Sequence, residues 1–253
     1  MKYDLIELCC GLGAVTWAAV GAPPPPVSRI GSKRGYVGPI LEALGIEPGT
    51  TKRVLMVDSD RHLCAALESL LNRDRRSMLA ADISNAAKRP DAKKVWEASR
   101  YRGVMPSASA WFLWTAGARG GVGGFKGRHK LRPSVDGFIP SRKSLAERLR
   151  NFDVPGKVEV LHADADALDP RKYAPTRVYC DPQYPDRTGY GDVLDDATTL
   201  ATRWRAAGHR VVVSLPFGIC DADSTRDITK LRKGQTRRSM TKDSVEWLSV
   251  FEP

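Results

Sequence analysis

The chain has 253 residues and a formal net charge of +11 at pH 7, with 42% hydrophobic and 27% charged residues. This composition is ordinary for a folded soluble protein, and no apolar run approaches the ~20 residues that a membrane-spanning helix needs. The length fits one large α/β domain or one domain with a substantial insertion. The positive charge favours a polyanionic partner, and a merely basic surface is the alternative interpretation.

The cysteine pattern and the N-terminus indicate a cytoplasmic protein. The only close pair, Cys9 and Cys10, is adjacent, and no CxxC or Cys/His spacing that could hold zinc occurs. We interpret the five cysteines as reduced thiols and predict no metal site. The N-terminus enters a short strand-like run and does not resemble a signal peptide.

Strand-like and helical runs alternate along most of the chain. The predicted strands cover residues 4–9, 53–58, 158–161, 177–180, 210–215 and 245–251. The predicted helices cover residues 14–20, 37–44, 61–71 and 197–207. Strands that alternate with helices are typical of a doubly wound, mostly parallel sheet. The sequence therefore predicts an α/β, Rossmann-like fold.

Two segments interrupt this alternation. Residues 23–26 are four consecutive prolines, which form a stiff spacer of ~3 Å per residue and carry the chain to a new element. Residues 84–157 are rich in lysine, arginine, glycine and tryptophan, which predicts a helical, basic insertion. We therefore predict one domain made of residues 1–83 and 158–253, with residues 84–157 inserted into it.

A glycine turn follows the first predicted strand. Gly11 and Gly13 let the backbone bend sharply and approach a ligand closely, although an ordinary tight turn is the alternative. The chain has no GxGxxG pattern and no P-loop lysine, so a dinucleotide or nucleoside-triphosphate site fits less well. Asp58 ends the second strand, where a carboxylate can bind two ribose hydroxyls or cap the next helix. Together these residues predict a nucleoside cofactor at the carboxyl ends of the strands.

Asp181-Pro182-Gln183-Tyr184 follows another buried strand and predicts a reaction centre. An exocyclic amine on an aromatic base is a poor nucleophile, because its lone pair is shared with the ring. A carboxylate and a backbone carbonyl that accept its two N–H groups favour a pyramidal nitrogen, and Pro182 fixes the backbone that directs this carbonyl. Tyr184 would pack on the base, which must leave the duplex to reach the site. A strand-end turn with a surface tyrosine is the alternative.

These motifs resemble the Dam-like DNA adenine-N6 methyltransferases over most of the chain. The resemblance implies S-adenosylmethionine as cofactor, double-stranded DNA as partner, and a DNA-recognition role for the insertion at residues 84–157, in which residues 108–140 are similar to the family's helical target-recognition segment. It implies catalytic roles for Asp181, Pro182 and Tyr184. The residues that it assigns to the cofactor are Glu7, Gly11, Gly13, Asp58, Asp164, Ala165 and, near the methionine end or the target base, Lys33.

The chain departs from the family in three places. Gln183 stands where the family has proline. Gly31-Ser32-Lys33 follows the glycine turn, whereas the family's Gly-Gly-Lys segment precedes it, and the proline spacer could return it to the same place. The Asn-Arg pair expected in the insertion is absent, and residues 115–119 occupy that region. These departures leave the target base and the recognition sequence open.

Basic residues within the glycine-rich part of the insertion predict contacts with DNA phosphates. The residues assigned to this contact are Arg119, Lys126, Arg128, Lys130 and Arg132. Lysine and arginine on a flexible stretch follow phosphates, position the protein and give an affinity that weakens with salt. A solvated surface loop is the alternative.

The sequence thus predicts methyl transfer to the exocyclic amine of adenine in DNA, as in DNA methylation or restriction–modification. Two alternatives remain: an enzyme that acts on another base, such as cytosine, a modified base or RNA, and an inactive DNA-binding protein of the same fold. We expect a monomer, because methylating one strand at a time needs no two-fold symmetry.

Overall fold

The computed structural model describes residues 1–27, 33–87, 107–117, 144–182, 197–233 and 245–253. Its strands are β1 Leu5–Leu8, β2 Arg53–Asp58, β3 Lys157–His162, β4 Arg177–Cys180, β5 Arg210–Leu215, β6 Ser224–Asp227 and β7 Trp247–Phe251. Its helices are α1 Ala14–Val20, α2 Val37–Leu44, α3 Arg61–Leu71, α4 Arg73–Ala87, α5 Ser107–Gly117, α6 at residues 144–150 and α7 Ala197–Ala206.

The seven strands form one sheet in the order β3-β2-β1-β4-β5-β7-β6. The first five are parallel, and β7 runs antiparallel to both of its neighbours. This mostly parallel order is that of the Rossmann-like methyltransferase fold, so the predicted fold class is confirmed. β6 was not predicted, because its four residues are all exposed and carry no apolar pattern.

The chain divides into two compact units. The first consists of Met1–Pro24, Lys33–Ser59 and Val154–Pro253 and contains the whole sheet. The second consists of Pro25–Ser32 and Asp60–Asp153, and within it α3 packs against α4 and α5. The division into a catalytic domain and a recognition insertion stays a prediction. None of the helices in the described ranges is long and apolar enough to cross a membrane.

The core of the first unit lies on both faces of the sheet. Ile6, Leu8 and Val213 pack with Trp204 of α7 on one face. The side chains of a strand alternate between faces, and Glu7 bonds to Thr16 of α1, so α1 lies on the opposite face.

The parallel pairing of β1 with β4 puts the carboxyl ends of these two strands side by side. The strand order reverses between these two strands, and ligands of open α/β sheets bind at such a point.

Candidate active site

The glycine turn after β1 has the left-handed backbone that its residues predict. Gly11 has φ +51° and Gly13 has φ +65°. A Cβ on Gly13 would overlap Cε of Met56, whereas a Cβ on Gly11 would meet no described atom within 4 Å. Gly13 therefore serves the close packing of the turn on β2, and Gly11 lies where the turn is open.

Glu7 holds the start of α1. Its side chain is buried in β1 and accepts a hydrogen bond from the Thr16 backbone N–H at 2.9 Å and another from the Thr16 hydroxyl. Burial raises the pKa of Glu7 to about 8, and the Thr16 bonds oppose this shift only in part. The predicted cofactor residue thus supports the turn from beneath.

Asp58 joins the turn to the end of β2. Its Oδ2 accepts a hydrogen bond from the Gly11 N–H at 2.9 Å, and its side chain is half-buried. A carboxylate oxygen can accept more than one hydrogen bond, so the Gly11 contact is compatible with a contact to a ligand hydroxyl. The alternative role, capping the next helix, belongs to Asp60, which accepts from the backbone of His62 and Leu63.

Asp164 and Ala165 follow the end of the neighbouring strand, β3. Asp164 is exposed and opens a short 3-10 turn by accepting a hydrogen bond from the Asp166 N–H at 3.1 Å. Ala165 is buried behind it. Asp58 ends β2 and Asp164 follows the adjacent parallel strand β3, so both lie on the same edge of the sheet as the glycine turn.

Asp181 follows β4 on that same edge. Its Oδ1 receives two contacts, from Nζ of Lys33 at 2.8 Å and from the Ser214 hydroxyl at 3.2 Å. The Ser214 hydroxyl also bonds to the buried Tyr179 hydroxyl at 2.8 Å. No residue in the described ranges donates to Oδ2 of Asp181. Among the residues that the structure describes, the carboxylate is therefore held through one oxygen.

Lys33 lies between two carboxylates. Besides Asp181, its Nζ contacts Oε1 of Glu246 at 3.4 Å, and the Lys33 and Glu246 side chains are only 6% and 7% exposed. Burial raises the pKa of Asp181 above its ordinary value, and the Lys33 ammonium opposes this shift. Lys33, predicted to lie near the methionine end or the target base, is thus placed directly on the predicted reaction centre.

No protein-family model matches the chain, and no curated protein matches it. It is similar to two solved structures of the rRNA methyltransferase aviRa from Streptomyces viridochromogenes, each at 16% identity over 99% of this chain and 76% of that one. The TM-scores are 0.37 and 0.38. Likeness this distant carries no argument about activity or target, so both must be argued from the site.

Sequence reasoning missed Ser214 and Glu246. Ser214 is the next-to-last residue of the buried strand β5 and bonds to Asp181, and a polar residue near a buried strand end is a signal that could have found it. Glu246 carries no such signal, because it reaches the site only through the antiparallel pairing of β7 with β5.

Several predicted residues lie outside the described ranges. They are Tyr184, Gln183, Arg119, Lys126, Arg128, Lys130 and Arg132. Pro182 is described and buried, next to Asp181. None of the five cysteines forms a disulfide. In the described part of the chain, no group of three or more His, Cys, Asp or Glu residues is arranged to hold a metal.

Proposed function

We propose that the chain is an S-adenosylmethionine-dependent methyltransferase that acts on the exocyclic amine of a base in nucleic acid, with adenine in double-stranded DNA as its target. The observation that carries this proposal is Asp181. Its carboxylate stands after β4, at the switch point of the sheet, held through one oxygen by Lys33 and Ser214. A ligand-binding edge and an acceptor for an amine therefore occur together.

The glycine turn and Asp58 fit the cofactor. Gly11 offers open space within the described residues, and Asp58 beside it is a half-buried carboxylate suited to ribose hydroxyls. Asp164 and Ala165, after β3, would contact the adenine of the cofactor. Bound S-adenosylmethionine would supply a methyl group on a positively charged sulfur.

The chain's own residues would prepare the amine. Oδ2 of Asp181 and the carbonyl oxygen of Pro182 would each accept one N–H, which favours a pyramidal nitrogen with its lone pair available. Tyr184 would stack on the base after it leaves the duplex. An amine that gains a methyl group must lose one proton, and Asp181 is the acceptor that we assign. Most of the acceleration would come from proximity and orientation.

The choice of target rests on the resemblance and on charge. The net charge of +11 and the basic residues Arg119, Lys126, Arg128, Lys130 and Arg132 support a nucleic-acid partner. Gln183, in place of the family's proline, favours a second candidate: the same chemistry on another base or on RNA. The Asp181–Lys33 contact counts against an inactive DNA-binding protein, because it retains a charged site that binding alone does not need.

Transfer of tritiated methyl groups to unmethylated DNA tests the proposal, with Asp181→Asn as the inactive control. Asp223→Asn is the matched variant, since its carboxylate forms an exposed ion pair with Arg205 at 3.0 Å and takes no part in the contacts described at Asp181. We expect label with the wild type and the matched variant and none with Asp181→Asn. Mass spectrometry of the digested nucleosides then identifies the base, with RNA as a parallel substrate. No label above the control on either nucleic acid would reject methyl transfer.

A further inference from the structure

The buried cluster Lys33–Asp181–Glu246 contains one cation and two carboxylates, and only Asp181 has a place in the proposed chemistry. We propose that Glu246 is a positioning residue: it draws the Lys33 ammonium partly away from Asp181, so that Asp181 stays basic enough to accept the proton that the amine loses. This inference rests on the proposed function and deepens it.

The distances show that the ammonium is shared. Nζ of Lys33 lies 2.8 Å from Asp181 and 3.4 Å from Glu246, so it contacts both carboxylates at once. The Asp181 side chain is 22% exposed, whereas the other two are nearly closed to solvent. Charges removed from water act strongly on one another, because little solvent screens them. Glu246 and Asp181 therefore compete for the positive charge of the Lys33 ammonium.

Hydrogen bonds fix the backbone at Glu246 and near Lys33. The Glu246 N–H donates to the Thr229 hydroxyl at 2.8 Å, and the Glu246 carbonyl accepts from the Ile228 N–H at 2.8 Å. Two residues after Lys33, the Gly35 carbonyl accepts from the Lys233 N–H at 2.8 Å. The segment of residues 228–233 thus holds both Glu246 and the turn that carries Lys33. Such bonds fix a geometry in advance, as a positioning role needs.

The remaining groups near Asp181 do not replace Glu246. Glu7 approaches from β1, but its pKa of about 8 leaves it mostly protonated and uncharged at pH 7. The Cys9 thiol, after β1, has a pKa raised well above its ordinary value and is also uncharged. Ser214, from β5, donates a neutral hydrogen bond. Among the described groups that contact Lys33 or Asp181, Glu246 is thus the other anion.

The signs of the two perturbations are opposite. A cation within contact distance lowers the pKa of a carboxyl by about 1–3 units, so Lys33→Met should raise the pKa of Asp181 by that amount. Removing a nearby anion does the reverse, and Glu246→Gln should lower it by about one unit. In Glu246→Gln the Lys33 ammonium would pair with Asp181 alone, and Asp181 would be a weaker proton acceptor. The kcat of this variant at neutral pH should therefore fall about tenfold. KM for the cofactor should stay unchanged.

The direct measurement is a carbon-13 NMR titration of the Asp181 carboxyl, assigned by comparison with Asp181→Asn. It uses the wild type, Lys33→Met, Glu246→Gln and the double variant. Glu42→Gln is the matched control, since it removes a carboxylate from an exposed ion pair with Arg226 at 3.3 Å. We expect the midpoint to rise in Lys33→Met, to fall in Glu246→Gln and to stay in place in the control. The acidic limb of kcat against pH should move in the same directions.

A midpoint that rises or stays in place in Glu246→Gln would overturn the inference. If that variant does not fold, Glu246→Asp draws the shorter carboxylate back from the Lys33 ammonium and keeps its charge, and its midpoint must lie below that of the wild type; an equal or higher midpoint would overturn the inference as well. The double variant, which lacks the ammonium, measures the part of the effect that does not pass through Lys33. The titration does not depend on activity. The expected midpoints without any methyl transfer would support the charge division and reject the proposed function. Methyl transfer with unchanged midpoints would support the proposed function and reject the charge division.

Discussion

Alanine at Gly11 separates cofactor binding from folding. Gly11 has φ +51°, and a Cβ there would meet no described atom within 4 Å. The substitution should therefore lower the free energy of unfolding only by the strain of a left-handed residue, about 1–2 kcal/mol. The new methyl group would project into the space that we assign to the cofactor.

The dissociation constant of S-adenosylmethionine should rise about 5- to 150-fold, because overpacking costs about 1–3 kcal/mol and 1.4 kcal/mol is tenfold. Gly45 is the matched control. It has φ +64°, equally open surroundings among the described residues, and a place at the end of α2. Gly45→Ala should lose the same stability and keep wild-type affinity.

Gly13→Ala gives the opposite contrast. Its φ is +65°, and a Cβ would overlap Met56 Cε and lie 3.2 Å from the Trp17 ring nitrogen. Strain and overpacking together should lower the free energy of unfolding by about 2–5 kcal/mol.

Urea denaturation measures the three stabilities, and isothermal titration calorimetry measures cofactor binding. Equal affinity in Gly11→Ala and Gly45→Ala would refute the assignment of the turn to the cofactor. A Gly13→Ala variant as stable as Gly11→Ala would refute the packing argument.

Three further predictions concern Glu7, Asp58 and the insertion. The pKa of Glu7, about 8, lies above its ordinary value, so between pH 5 and 8 the folded state retains a proton that the unfolded chain loses. As the pH rises through this range, the free energy of unfolding should fall by about 1.4 kcal/mol per pH unit. Glu7→Gln should remove this slope in urea denaturation, and an unchanged slope would contradict the assignment. Asp58→Asn can still accept from Gly11, so it should keep the fold and weaken cofactor binding about tenfold in calorimetry; full affinity would count against a ribose contact. Replacing Arg128 and Lys130 with glutamine should weaken DNA binding and reduce the salt dependence by about one to two phosphate contacts in fluorescence anisotropy, whereas an unaltered salt slope would indicate a solvated loop.

The periodicity of the chain was sufficient for most of the fold. Apolar strands that alternate with amphipathic helices predicted six of the sheet's seven strands, because a strand buried on both faces requires a continuous apolar run. The sequence pattern did not predict β6, because this strand forms by pairing with β7 and its own side chains are exposed.

The sequence by itself determined the glycine turn, Asp58 and Asp181, because each follows a recognisable strand and parallel strands bring their carboxyl ends to one edge. The tertiary structure alone decided how Asp181 is held. Lys33, Ser214 and Glu246 reach it from a 3-10 turn, from β5 and from the start of an antiparallel strand. No local sequence pattern predicts these contacts, because contacts between residues far apart in the chain depend on how whole strands pair.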